Sequence, residues 1–249
     1  MVPPDIRRLL DELPEDALVL DVGGWAEADP RADWVIDIGP FETRNWYRTL
    51  GGAAHGSDRV NAERWVQRDV CDPEPWPFVD NQFDFVLCTQ TLEDLRDPVR
   101  VCREMARVAK GGYLETPPAV EELTRGIESP LWCGWKHHRW LAWADADCVV
   151  FLGKPHHIHS PLWPSVPSPK RLGPESRRPF GVRWTENLQA REEVIVEQAE
   201  LDVLLRDIVA RGSVPDQLAS VRRSVAGAAW HGYRAVRETV GRAARAVRS

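Results

Sequence analysis

The sequence predicts an α/β domain built on a mostly parallel sheet flanked by helices. Three observations carry that expectation. The apolar runs ALVLDV (17–22), WVIDI (34–38) and FDFVLCT (83–89) are continuous rather than alternating, as strands buried on both faces are. An amphipathic segment, DPVRVCREMARVAKGG (97–112), separates the last of these from a further apolar run, GYLETP (112–117). Such alternation of strand and helix is the signature of parallel pairing. Finally, only about 11 residues, Pro30 among them, join the first two runs, where a parallel crossover generally takes a dozen or more. The first crossover helix is therefore expected to be truncated to about a turn or missing.

In chain order, DIRRLLDE (5–12) reads as a short amphipathic helix ahead of the first strand. FETRNWYRTL (41–50) reads as a helix, GGAAHGSD (51–58) as a glycine-marked loop, and RWVQRDV (64–70) as the third strand. In the helix over 97–112, Val101, Cys102, Met105, Val108 and Ala109 mark one face. Asp97 is the N-cap with Pro98 in the first turn, and Gly111 and Gly112 supply the stop. VEELTRGIESPLWCGWKHHRW is mixed helix and loop, and RWLAWADADCVVFLGK is two strands around a tight Asp-Ala-Asp turn. Seven prolines between Pro155 and Pro179 predict an ordered loop or lid. VRWT and EEVIVE are late strands. The remainder is a C-terminal helical extension, with Leu218, Val221, Val225, Ala229, Val236, Val240 and Val247 near one stripe.

Composition narrows the class. With 249 residues the chain can bury a full core. No apolar run approaches the roughly 20 residues needed to cross a bilayer, and MVPPDIRRLLDELPEDA lacks a signal-peptide core, so integral membrane association is not expected and a cytoplasmic location is. Five scattered cysteines without a CxxC pair argue against a disulfide framework or structural zinc and suit small buried side chains. A net charge of −6 weighs against a nucleic-acid partner. The balance is uneven: residues 216–249 carry about +5 and the rest about −11. That basic helix, with its small apolar stripe, suits packing on the body or on a second copy of the chain as a homodimer rather than deep lipid insertion. Trp132, Trp135, Trp140, Trp143 and Trp163, close in sequence, suggest either a flat aromatic pocket wall or plain core.

Ligands of open parallel sheets sit beyond the carboxyl ends of the strands. The residues there are Asp21-Val-Gly-Gly, Asp37, Asp69, Thr89-Gln90-Thr91 and Glu115-Thr116-Pro117. A glycine after the first strand lets backbone approach a ligand with no Cβ in the way, and a carboxylate such as Asp37 accepts two hydrogen bonds from a vicinal diol. Asp21 could meet a cationic ligand end, directly or through water.

This series resembles the class I S-adenosylmethionine-dependent methyltransferases, of the small-molecule, methyltransferase type 11-like kind, mostly over residues 17–117. VLDVGG is similar to the first motif of that family, and FDFVLCTQTLEDLRDPVRVCREMARVAKGGYLETP to its stretch from fourth to fifth strand. The resemblance implies a Rossmann-like fold and S-adenosylmethionine as cofactor. It assigns Asp37 to the ribose hydroxyls and Asp69 to the adenine amino group, and extends the cofactor set over Asp21, Gly23, Gly24, Val70 and Thr89; Trp25, a departure from the family, could wall the cofactor where glycines would leave room. The family usually shows two more glycines after Gly23, where this chain has Trp25 and Glu27. A sulfonium cofactor has no phosphate to need the lost helix N-terminus, whereas a dinucleotide does, which weighs against a nicotinamide oxidoreductase.

On this reading residues 1–117 form the cofactor-binding half of a single domain, 118–199 the acceptor pocket, lid and late strands, and 200–249 the C-terminal helical segment. The expected activity is transfer of the methyl to a small-molecule acceptor, with oxygen on a sugar or secondary metabolite as first choice. Methyl transfer from a sulfonium asks chiefly for a nucleophile held in line, so positioning is much of the catalysis. His137 and His138 in GWKHHRW, with Glu115, are the candidate catalytic groups; a histidine there could act as general base or serve as a supporting hydrogen-bonder. Gln90 and Glu93 are lesser candidates. HHIH (156–159) has metal-ligand spacing, but no cysteine or carboxylate nearby completes a set, so no metal is expected. The altered glycine loop also leaves open a non-catalytic, methyltransferase-like partner or scaffold protein.

Overall fold

A computed structural model describes residues 6–46 and 59–213. By internal contacts the chain falls into two compact units. The first takes in residues 1–119, 137–154 and 178–194, and the second takes in 120–136, 155–177 and the chain from 195 onward.

Among the described residues the first unit has nine strands. β1 (Val19–Val22), β2 (Trp34–Asp37), β3 (Trp65–Gln67), β4 (Phe85–Thr89), β5 (Gly111–Thr116) and β8 (Phe180–Thr185) form one sheet in the order β3-β2-β1-β4-β5-β8. All its pairs are parallel except β5 with β8, which run antiparallel from Gly111 opposite Thr185 to Thr116 opposite Phe180. β6 (Trp140–Asp145), β7 (Cys148–Gly153) and β9 (Gln189–Glu193) form a second sheet in the order β6-β7-β9. The expected hairpin is present. Asp145 pairs with Cys148 across the two residues Ala146 and Asp147, and Ala146 takes the left-handed φ of 51° that a tight two-residue hairpin loop demands.

Burial explains why the apolar runs are continuous. Alternate residues of β1, β4 and β5 feed two cores. Leu20, Val22, Val86, Cys88 and Leu114 join the main cluster with Val101, Cys102, Met105 and Val108 of helix α2 (Pro98–Val108). Val19, Phe85, Leu87 and Tyr113 meet Leu9 and Leu10 of helix α1 (Ile6–Asp11) on the other face. The α2 face is the one its periodicity predicts, and Asp97 caps it by accepting from the Arg100 amide at 2.9 Å. The free cysteines 71, 88, 102 and 133 are buried, as expected of small apolar side chains.

No helix joins β1 to β2: residues 23–33 are turns. The connection packs Ala28 and Ala32 on Val35, Val60 and Trp65, and its backbone is held by carboxylates. Asp21 accepts from the Asp29 amide at 2.8 Å, Asp29 from Arg31 at 2.8 Å and Asp33 from Val19 at 3.0 Å.

Three local expectations are corrected. Gly111 and Gly112 open β5 instead of ending the helix, which stops at Val108. They are glycines because neighbouring strands lie close: a Cβ on Gly112 would stand 2.5 Å from the Val86 carbonyl oxygen. The last strand is Gln189–Glu193 rather than EEVIVE, and Val194 and Val196 lie exposed beyond it. Pairing to β7 from Cys148 opposite Gln189 outweighs the stronger β-propensity of the valines. Of the helix expected over 41–50, Phe41–Thr43 form a single 3-10 turn and residues 47–50 lie outside the described residues.

Helix α3 (Ala119–Glu122), all but its first residue in the second unit, leads into loops tied by Arg125. Its guanidinium donates to the carbonyls of Leu131, His159 and Ser160, the last at 2.6 Å. The proline-rich loop is ordered as expected, with 3-10 turns at His156–His159, Pro169–Arg171 and Glu175–Arg177. Helix α4 (Gln198–Gly212) closes the unit, and the stripe from Leu218 to Val247 lies outside the described residues. Among the described residues no helix is long and apolar enough to cross a membrane.

Candidate functional site

Strand order reverses between β1 and β4, and the crevice beyond their carboxyl ends is where open α/β sheets bind ligands. A cleft of about 230 Å³ occupies that place, lined by Gly23, Asp37, Ile38, Asp69, Val70, Gln90, Thr91, Asp94 and Leu95. Four of the residues expected at a cofactor, Gly23, Asp37, Asp69 and Val70, therefore share one wall.

Gly23 follows β1 with φ of 86°, a conformation that L side chains resist, and its amide donates to the Ile36 carbonyl at 3.0 Å. A Cβ there would also run into the Thr91 side chain, 2.6 Å from its methyl carbon. Asp37 ends β2, and its two oxygens accept from the amides of Gly39 at 2.6 Å and Trp25 at 3.1 Å. A carboxylate has about four lone-pair sites, so capacity for a diol is left. Burial pushes its pKa up, against those same backbone hydrogen bonds. Asp69 accepts from the Cys71 amide at 2.8 Å and from the Arg96 guanidinium at 2.5 Å, so its carboxylate is already oriented. Val70 is buried, and its carbonyl accepts from the Trp76 indole at 3.0 Å.

Asp21 lies beneath the loop and not among the cleft-lining residues. It is 4% exposed, and burial pushes its pKa up to about 7. Gly24 packs directly on it: a Cβ there would stand 2.8 Å from the Asp21 Oδ2. Trp25 lies over Gly39, stacks on Trp46 with ring centroids 5.9 Å apart and donates from its indole to the Thr43 hydroxyl. Thr89 ends β4 exposed, and its carbonyl accepts from the Thr91 hydroxyl at 3.0 Å. Glu115 is engaged on β5, accepting from the Tyr113 hydroxyl at 2.8 Å and from the Gln90 amide nitrogen at 3.0 Å.

His137 and His138 are not among the cleft-lining residues but stand beside one of them, Asp94. His138 is 9% exposed, and its Nε2 lies 3.9 Å from Asp94 Oδ1. His137 is exposed, with Nε2 4.0 Å from Asp94 Oδ2. Glu93 is buried, and its carbonyl accepts from the Arg139 amide at 2.7 Å. The histidines of HHIH are occupied separately in the second unit: His157 meets Asp202 at 3.1 Å, while His159 stacks on Trp132 and accepts from the Cys133 amide. The tryptophans are divided likewise, Trp140 and Trp143 in the first unit and Trp132, Trp135 and Trp163 in the second.

Sequence reasoning missed Ile38, Asp94 and Leu95, and it named Thr91 only as part of a strand end. Asp94 could have been found by its place in the turn after β4, within the same stretch that carries the resemblance.

The strand order and the cleft at its reversal define a Rossmann-like domain. Residues 51–115 match the family model described as a methyltransferase domain, a segment that takes in β3, β4, α2 and nearly all of β5. Over that segment the chain is similar to a methyltransferase domain. Solved structures that resemble it include YcgJ of Bacillus subtilis, at 20% identity over 47% of this chain and 56% of that one, with a TM-score of 0.33. A SAM-dependent methyltransferase of Aquifex aeolicus is 22% identical over 46% of this chain and 65% of that one, with a TM-score of 0.30. An S-adenosylmethionine-dependent methyltransferase of Mesorhizobium loti is 15% identical over 58% and 60%, with a TM-score of 0.31. The chain spans less than two thirds of the length of each. Comparison with curated proteins finds no match.

Proposed function

We propose that the protein transfers the methyl group of S-adenosylmethionine to a small-molecule acceptor, with oxygen of a sugar or secondary metabolite as the first choice. The observation that carries this reading is the convergence of Gly23, Asp37, Asp69 and Val70 on one cleft at the β1/β4 reversal. Asp37 takes the ribose hydroxyls, Asp69 the adenine amino group, and Gly23 gives the backbone access to the cofactor. Asp21 acts from below, fixing the loop over 24–29 through the Asp29 amide. Gly24, Trp25 and Thr89 complete the cofactor set by shaping that loop and the end of β4. A sulfonium donor carries no phosphate, so a cleft that lacks a crossover-helix N-terminus remains serviceable for this cofactor and unsuited to a pyrophosphate.

Residues 118–199 would supply the acceptor pocket and lid. On this reading, in the absence of a metal ion, His137 or His138 takes a proton from an acceptor hydroxyl, a role that their position beside Asp94 supports. Glu115 serves in second place, since its carboxylate already receives two donors. A cytoplasmic setting, a homodimer through the C-terminal helix and no nucleic-acid partner complete the reading.

Isothermal titration with S-adenosylmethionine and S-adenosylhomocysteine tests it. Sub-millimolar binding of both is expected, weakened at least about tenfold by Asp37→Ala, in which a group bonding the ligand is lost. Absence of binding by the unaltered chain, with a stable partner protein recovered instead, would favour a scaffold.

A further inference from the structure

We propose that Asp94, His137 and His138 form a binding site for a divalent transition-metal ion of the zinc class at the rim of the cofactor cleft. Their ligand atoms lie within 4.8 Å of one another. Two imidazoles and a carboxylate are the donor set that such ions take, and three protein donors leave a coordination position open, as in catalytic sites. HHIH has the metal-ligand spacing in the sequence, yet the converging set joins an adjacent histidine pair to a carboxylate 43 positions before it.

The backbone brings the two loops together. The Arg139 amide donates to the Glu93 carbonyl at 2.7 Å, and the Trp140 indole donates to the Leu95 carbonyl at 2.7 Å, so hydrogen bonds flank Asp94 on either side. Neighbouring residues on a strand point to opposite faces, but His137 and His138 precede β6 in a bend and both rings turn to Asp94, 4.6 Å apart at 81°. The histidine–carboxylate separations of 3.9 and 4.0 Å are too long for direct hydrogen bonds. Around an ion with bonds of about 2.0–2.1 Å, tetrahedral donors stand roughly 3.4 Å apart. Each histidine–carboxylate separation therefore closes by about half an ångström, and the widest pair of ligand atoms, within 4.8 Å, by no more than about 1.4 Å. His138, whose side chain is 7% exposed, supplies the fixed donor, while His137 and Asp94, at 60% and 40%, have room to turn.

Asp94 also lines the cleft, which sets the ion beside the bound cofactor. Its catalytic consequence rests on the methyl-transfer reading. With the ion bound, coordination would take up the His137 and His138 lone pairs, so the ion would act in place of a histidine base. An acceptor hydroxyl drawn to the open position would give its proton to solvent, and its oxygen would take the methyl as the S–C bond breaks. The bonding pair stays on sulfur as S-adenosylhomocysteine.

The test is titration of the chelator-treated full chain with Co²⁺, followed by Zn²⁺ competition. One Co²⁺ per chain with the visible absorption of a tetrahedral site is expected, displaced by Zn²⁺. Affinity should fall about 10–100-fold or more in Asp94→Asn and in His137→Ala, and survive in a His156→Ala/His159→Ala control. His137 is exposed, so its variant should keep the parental melting temperature and separate lost coordination from lost folding. No bound Co²⁺, or binding indifferent to His137→Ala and Asp94→Asn, overturns the site. Metal binding with no S-adenosylmethionine binding would instead overturn the methyl-transfer reading alone. A transfer rate unchanged by chelation would overturn the catalytic role of the ion.

Discussion

The Thr91 side chain fills the space that any side chain on Gly23 would need: its methyl carbon lies 2.6 Å, and its Cβ 2.9 Å, from the Cβ position of the glycine. The turn after β4 thus closes on the loop after β1, and both belong to the cleft wall. Gly23→Ala is expected to cost roughly 1–2 kcal/mol from the left-handed backbone alone, and more from the collision. It should also weaken S-adenosylmethionine binding at least about tenfold, the expectation for a loss of 1.4 kcal/mol. Thr91→Ala removes the two nearest atoms, so the double variant should recover part of both losses. Strict additivity in urea melts and titrations would show that the two residues do not communicate.

Asp21 makes stability depend on pH in an unusual direction. Its carboxyl, ordinarily near 3.8, is pushed up to about 7 by burial. A raised value means that the folded chain holds the proton longer than the unfolded one. The contribution is thus fully present below about pH 4 and is lost as pH rises through about 7. Asp21→Asn should flatten this dependence and leave the variant more stable than the parent at pH 8 by about 1–3 kcal/mol. Urea midpoints at pH 5 and pH 8 decide it. A parent that gains stability over that interval relative to the variant would refute the assignment.

Glu104 is the clamp between α2 and the loop after β3. One oxygen accepts from the Trp76 amide at 2.7 Å and from the Arg107 guanidinium at 2.7 Å, and the other from Arg107 at 2.9 Å. Glu104→Gln keeps the shape and loses the charge, and is expected to cost about 1–3 kcal/mol, as charged hydrogen bonds do. Because Glu104 is outside the cleft, cofactor affinity should hold while the denaturation midpoint falls.

Much of this architecture was legible because its signals are local. Leu20, Val86 and Leu114 sit in unbroken apolar runs, Asp97 and Pro98 announce a helix start, and the shortness of 23–33 excludes a full crossover helix. Asp37 and Asp69 were legible by a rule of topology, since acidic residues at consecutive strand ends meet at one edge. What escaped was set by packing between distant segments. The last strand lies on Gln189–Glu193 because β7 offers its edge there, although the valines that follow have the stronger intrinsic preference. Asp94 looked like one acid among several in TLEDLRDP, and nothing local tells that His137 and His138 arrive beside it.

The connection from β1 to β2 has a consequence for how binding is measured. Where a helix would form a separate layer, Ala28 and Ala32 of a single loop both cover Val35 and continue into the residues around Asp37. Roof and binding wall are one stretch of chain, so a ligand that orders the wall also seals the core beneath it. A bound cofactor should therefore slow amide hydrogen exchange at Val35 and Ile36 as much as at Gly23, and the thermal shift it produces should track occupancy of the cleft.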